Sequence, residues 1–300
     1  MSFIESIGIA PDGSRAVFGA RGEVFTIPAK DREPRNVSNS PDHREHSVTW
    51  SPDGRWIAYL SDASGEYELY VRSQDGRGEA RRVTQDGDVW RFPPVWSPDS
   101  SKLAYSDKRQ RLRIVEVGNG RTTDVDSSTR EDLTEYRWSP DSRWLAYVKT
   151  SETSNPSIWV HSLSERRNYR LTDGTSPDRE PVFDPEGRYL YFLSDRDYNL
   201  AFSSYEFNWL YNNATRIYAV PLRADQPPLY PKKSDEVAIT KGGSDETKTE
   251  KEKNGAKPAP VVKIDVEGFG ARVQPLKAPA GNYSRLEANA TGVFVLSGDG

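Results

Sequence analysis

The stretch Trp50 to Asp62, WSPDGRWIAYLSD, returns along the chain with variations, and that repetition limits the fold more than any other feature. Upstream it reads IAPDGSRAVFGA (Ile9 to Ala20). Downstream it reads WSPDSSKLAYSD (Trp96 to Asp107), WSPDSRWLAYVKT (Trp138 to Thr150) and FDPEGRYLYFLSD (Phe183 to Asp195). Proline at the second position presets φ, the following acidic residue can bond the backbone ahead of it, and glycine accepts positive φ, so each SPDG-like segment predicts a tight turn between strands. The strand after the turn, WIAYL in the second copy, is aromatic and branched without clean alternation. That pattern suits a strand covered on both faces and does not suit an amphipathic helix.

The turn prolines Pro11, Pro52, Pro98, Pro140 and Pro185 are 41, 46, 42 and 45 residues apart. Four-stranded propeller blades have this period, whereas leucine-rich and ankyrin repeats are shorter. Each period also holds two more strand candidates. The third strands are EVFTI (Glu23 to Ile27), YELYV (Tyr67 to Val71), LRIVEV (Leu112 to Val117) and SIWVHS (Ser157 to Ser162). Short outer edges follow as RNVS, RRVT, TTDV and YRLT, whose arginines and brevity discourage edge pairing. The expected fold is all-β: a β-propeller of four-stranded antiparallel blades, about six of them visible and belonging to a seven-bladed ring. The expected blades span about 3–40, 46–86, 92–127, 133–174, 179–240 and 261–300.

After Asp195 the period breaks. The fifth blade is expected to resume as RIYAV (Arg216 to Val220) and VAIT (Val237 to Thr240), after an aromatic excursion from Asp197 to Asn213. Residues 241–260, KGGSDETKTEKEKNGAKPAP, carry no aromatic or branched aliphatic side chain and nearly half are charged. Such a segment buries too little to offset its ordering entropy and is read as a disordered polar insertion. VVKIDVEGFGARVQPLKAPAGNYSRLEANATGVFVLSGDG is then expected to open a sixth blade.

Bulk properties exclude several functions. The 300 residues are 35% hydrophobic and 11% aromatic with a net charge of −4, enough for a large β core and without the basic field that nucleic acid requires. No run approaches the roughly 18 to 20 apolar residues of a membrane span. There is no cysteine, so disulfides, zinc ribbons and cysteine nucleophiles are excluded together. The opening MSFIESIGIAPDG lacks the marks of a secretory signal, which points to the cytoplasm, or to the periplasm if an N-terminal signal has been lost.

The candidate chemistry is thin. Serine catalysis needs nucleophile, base and orienting group together. The three histidines, His43, His46 and His161, sit outside any catalytic motif and are read as surface residues. His43 and His46, with Asp42 and Glu45 nearby, form only a weak metal pattern without an evident third ligand. Asp12, Asp53, Asp99, Asp141 and Glu186 are assigned to the turns themselves, and Trp50, Trp96 and Trp138 to packing between blades. No catalytic residue, metal or cofactor is expected. The excursion residues Phe202, Tyr205, Phe207, Trp209 and Tyr211 exceed what a blade needs. They either cover a channel mouth, or dock another domain, or are core.

WSPDG repeats are shared by TolB-like proteins, relatives of prolyl oligopeptidase and tricorn proteases. GARGEVFTIP, WSPDGRWIAYLSDASGEYELYV, FDPEGRYLYFLSDRDYN and VKIDVEGFGARVQPLKAPAGNYSRLEA together resemble the second propeller of the tricorn protease and its bacterial homologues, over nearly the whole chain. The resemblance implies a longer polypeptide with downstream PDZ-like and serine peptidase domains. It also implies a non-catalytic conduit or filter for peptides or unfolded polypeptide, and a possible homo-oligomer. The alternative is a free-standing TolB-like interaction propeller with a protein partner.

Overall fold

A computed structural model of the chain describes residues 4–30, 33–150, 152–197, 200–203, 208–211, 213–230 and 260–298. The first sheet runs β1 (Ile4–Ile9), β2 (Arg15–Ala20), β3 (Glu23–Pro28) and β4 (Arg35–Asn36). The second runs β5 (Glu45–Trp50), β6 (Trp56–Ser61), β7 (Glu68–Ser73) and β8 (Arg81–Arg82). The third is β9 (Val95–Trp96), β10 (Lys102–Ser106), β11 (Arg111–Glu116) and β12 (Thr122–Ser127). The fourth is β13 (Tyr136–Trp138), β14 (Trp144–Thr150), β15 (Pro156–Ser162) and β16 (Arg167–Arg170). Within each, strands pair antiparallel in chain order. The first strands of successive sheets adjoin, which makes them the innermost strands of a propeller and the short fourth strands its rim.

The second strands β6 and β10 are buried along nearly their whole length, and β14 over its middle from Leu145 to Val148, as their lack of alternation predicts. Each contributes to two apolar layers, one against each neighbouring blade. Ile57 and Tyr59 face Val17, Val24 and Val48 of the first interface, while Ala58 and Leu60 face Leu103 and Tyr105 of the second. A fully buried side chain such as Ile57, Leu60 or Leu103 contributes about 1.5–3 kcal/mol by leaving water.

The turns form as expected. Asp53 Oδ1 accepts the Ser51 hydroxyl at 2.5 Å and the Arg55 amide at 3.0 Å, and Asp99 and Asp141 repeat the pattern. The turn tryptophans do lie between blades. Trp96 Nε1 donates to the Thr49 carbonyl at 3.4 Å, and Trp138 Nε1 to that of Val95 at 3.1 Å.

The fifth blade departs from expectation. Its strands are β17 (Asp178–Phe183), β18 (Tyr189–Ser194), β21 (Arg216–Pro221) and β22 (Gln274–Pro275), with a separate backbone hairpin of β19 (Leu200–Ser203) and β20 (Asn208–Tyr211) inserted before β21. Tyr218 pairs with Pro275 and Ala219 with Gln274, so the segment expected to open the sixth blade instead completes the fifth. The reason is packing. Val262, Ile264 and Phe269 bury themselves against Leu190, Phe192, Tyr218 and Leu222. VAIT (237–240) and residues 241–259 lie outside the described residues. The sixth unit begins later, as the hairpin of β23 (Asn282–Asn289) and β24 (Gly292–Gly298), whose Leu286 packs on the fifth blade. No helix of the described residues is long and apolar enough to cross a membrane.

Candidate functional site

Four inner strands break register near their first residues: β1 between Ile4 and Ser6, β5 between His46 and Thr49, β17 between Arg179 and Val182, and β23 between Ser284 and Glu287. At the last three breaks one residue takes positive φ, Ser47 at 56°, Glu180 at 52° and Arg285 at 54°. None is glycine, so each conformation costs on the order of 1–3 kcal/mol and persists only where its surroundings hold it. What holds them is the preceding blade. The Val48 amide donates to Ser6 Oγ at 3.2 Å, the Glu180 amide to Glu135 Oε2 at 2.7 Å, and the Leu286 amide to Glu180 Oε2 at 2.6 Å. These bulges re-aim side chains at the centre of the propeller, a common use of bulges beside functional sites.

Between the fourth, fifth and sixth units the β17 and β23 bulges line an open cavity of about 560 Å³, together with Thr134, Glu135 and Arg137; Glu180, Arg285 and Glu287 are on its wall. Burial pushes the Glu135 carboxyl above its ordinary range; the Glu180 amide pulls it back, and the Glu180 charge adds to the rise. Arg137 and Glu287 form an exposed ion pair at 3.4 Å across it. Among the described residues the inner edges of β13, β17 and β23 carry no partner strand. The wall therefore presents main-chain donors and acceptors together with charges of both signs, chemistry that engages a polypeptide backbone without demanding one side chain.

The histidine expectations need correction at two positions. His43 is exposed as expected, but His46 and His161 are each only 5% exposed. His46 stacks on Trp90 with ring centroids 4.9 Å apart and meets the edge of Tyr67 at 4.8 Å. These partners come from the loop before the third blade and from the residue that leads into the second blade's own third strand, which a local reading of EHSVTW does not reveal. Its Nδ1 lies 2.8 Å from Ser47 Oγ, while Nε2 is buried with no hydrogen-bond partner among the described residues. A Ser–His contact whose second ring nitrogen meets no carboxylate lacks the orienting group of a triad. His161 Nδ1 lies 2.6 Å from Asn168 Oδ1. Burial lowers both imidazole pKa values. Among the described residues no three His, Cys, Asp or Glu side chains converge as a metal site.

Beside His46 is a network that the sequence did not flag. Arg91, 2% exposed, reaches Glu68 at 3.0 Å and Asp86 at 2.8 Å, and donates to Thr84 Oγ1 at 2.6 Å. It fastens the start of the third blade to the second. A buried cation paired with two carboxylates acts here as a fastener between blades.

The side chains of Phe202, Tyr205, Phe207, Trp209 and Tyr211 lie outside the described residues. The backbone pairs Phe202 with Trp209 and Leu200 with Tyr211. The root of this hairpin is anchored by Arg179–Asp195 at 2.9 Å and Arg216–Asp197 at 2.7 Å. It thus leaves the blade on the face where the inner strands begin, the face nearest the Glu135–Glu180 bulges.

Comparison with known proteins follows the same lines. The model of the tricorn protease second beta propeller domain matches residues 4–299. Tricorn protease homolog 1 of Streptomyces coelicolor is 27% identical over 282 residues, which is 92% of this chain and 26% of that protein. Tricorn protease of Thermoplasma volcanium is 27% identical over 239 residues, 74% of this chain and 22% of that protein. The crystal structure of the tricorn protease superposes with a TM-score of 0.74 at 20% identity, covering 95% of this chain and 26% of that one. The chain spans about a quarter of the length of these relatives.

Proposed function

Because the chain belongs to the family of the tricorn protease second β-propeller domain, we propose that it is the non-catalytic propeller module of a tricorn-like serine protease, a passage and filter for peptides or unfolded polypeptide. The observation that carries this reading is the cavity of about 560 Å³ at the inner strands, with backbone edges and mixed charges on its wall. Such a wall holds an extended chain weakly and without sequence preference, as a passage must. PDZ-like and peptidase domains belong, in this reading, to the same longer polypeptide, and the hairpin at 200–211 lies over the channel mouth or docks one of them. Copies of the assembled protein associate.

A photoreactive benzoylphenylalanine at Thr134, which lines the cavity, tests the proposal against the same group at Arg82 on the rim. Illumination with a fluorescent unfolded polypeptide should label the Thr134 position well above the Arg82 position, with no cleavage of the polypeptide. Equal labelling at the two positions would count against a passage.

A further inference from the structure

The turns that join first and second strands stand side by side on one face, and neighbouring turns are bridged in different ways. The Asp53 amide donates to Ser100 Oγ of the next blade at 3.0 Å, and the Asp99 amide to Ser142 Oγ at 3.0 Å. Both serines hold positive φ, 59° and 61°. Between the fourth and fifth blades the serine is replaced by Gly187, and the segment 260–266, arriving from beyond the fifth blade's third strand, fills the gap. The Val262 amide donates to Asp141 Oδ2 at 2.8 Å, and its carbonyl accepts from Trp144 Nε1 at 3.2 Å. A Cβ on Gly187 would lie 2.6 Å from Val262 Cγ2, so glycine is what makes room. Further along this segment, the Asp265 amide donates to the Leu222 carbonyl at 2.9 Å.

Between the first and second blades the same seat exists without an occupant among the described residues. Gly54 stands where Gly187 stands, and Pro11 flanks it as Pro140 flanks Gly187. Asp12 corresponds to Asp141. Its Oδ1 takes the Ser14 amide at 3.0 Å and hydroxyl at 2.7 Å, and no described group bonds Oδ2. Gln74 corresponds to Leu222: the Gln74 amide donates to Arg55 O at 3.0 Å, as the Leu222 amide donates to Arg188 O at 2.9 Å. A cavity of about 250 Å³ lies among Pro11, Asp12, Trp50, Asp53, Gly54 and Gln74. A second cavity, of about 460 Å³, shares Asp12 and Ser14 and continues toward Pro28 and Lys30. Trp50, 8% exposed and lining the smaller one, carries a buried indole N–H with no acceptor among the described residues, unlike Trp96 and Trp138.

We propose that this groove binds an extended strand of a separate polypeptide. A branched aliphatic side chain sits over Gly54, its amide donates to Asp12 Oδ2, and a later amide donates to the Gln74 carbonyl. The occupant's chemistry is read from the filled groove of the same molecule. A β-branched residue favours the extended backbone, and an amide on a carboxylate makes a charge-assisted bond. The seat lies on the turn face, away from the Glu135–Glu180 bulges, so it stands or falls independently of the passage.

The test uses a peptide with the sequence of residues 260–266 carrying photoleucine at the position of Val262, added to the intact 300-residue chain. Mass spectrometry should find the label within residues 10–14 or 50–54, or at Gln74. Gly54→Ser should cut that labelling by about tenfold or more. Serine is compatible with this turn position, since Ser100 and Ser142 occupy it in other blades, and it supplies the bridge that closes the groove. A thermal melt confirms that the variant is folded. Absent labelling, labelling confined to the Asp141–Gly187 groove, or labelling unchanged in Gly54→Ser would each overturn the proposal.

Discussion

The amide of Glu180, held at positive φ, donates to the carboxylate of Glu135 one blade away at 2.7 Å. Glu180 in turn accepts the amide of Leu286 from the next blade at 2.6 Å. Carboxylates thus link three inner strands in a row and form part of the cavity wall, so blade registry and cavity shape depend on the same groups.

Replacing Glu135 by alanine should therefore destabilise the chain by about 1–3 kcal/mol, the usual cost of stranding a buried amide. Glutamine keeps an acceptor and removes a charge whose burial is unfavourable, so Glu135→Gln should be close to neutral or mildly stabilising at pH 7. Urea denaturation of the two variants checks this. Equal losses would mean that the carboxylate charge, not the acceptor, matters.

Arg91→Ala should be the more damaging change, costing about 3–5 kcal/mol, because it leaves Glu68 buried without its cation. The same measurement decides it: a loss below about 1 kcal/mol would place this network among exposed pairs of little consequence.

Much of the fold was legible because it is local. The SPDG turns, the doubly buried second strands and the inter-blade tryptophans follow from short-range spacing and composition. The fourth strand of the fifth blade was not, because Gln274–Pro275 is two residues long and pairs with β21 across the intervening insertion, leaving no local pattern. The candidate site was barely legible. Ser47, Glu180 and Arg285 adopt positive φ without glycine or asparagine to announce it, and their support comes from other blades. His46 looked solvated in EHSVTW because the ring that covers it, Trp90, belongs to the approach to the next blade.

Burial lowers the pKa of His46 and of His161 below the ordinary value of about 6.5. Between the folded and unfolded values the unfolded chain binds more protons, so stability is complete above about pH 6.5 and falls as the pH drops below it. Glu45 and Glu135, raised by burial, act in the opposite sense: their folded forms hold protons longer, so stability tied to them is lost as pH rises from about 4.5 through their folded values. Urea midpoints at pH 7.5 and 5.5 should show a decline in the parent chain and a smaller one in His46→Gln/His161→Gln. An identical decline in both would remove the histidines from the account.

The central claim is that this propeller holds polypeptide at its inner cavity without cleaving it. An unstructured peptide carrying a fluorophore and a quencher reports both events at once, anisotropy for binding and dequenching for hydrolysis. Addition of the purified 300-residue chain should raise anisotropy without dequenching, and Thr134→Trp, which places a bulky ring at the cavity wall, should weaken that rise. Dequenching that survives repurification of the chain, or an anisotropy rise indifferent to Thr134→Trp, would contradict it.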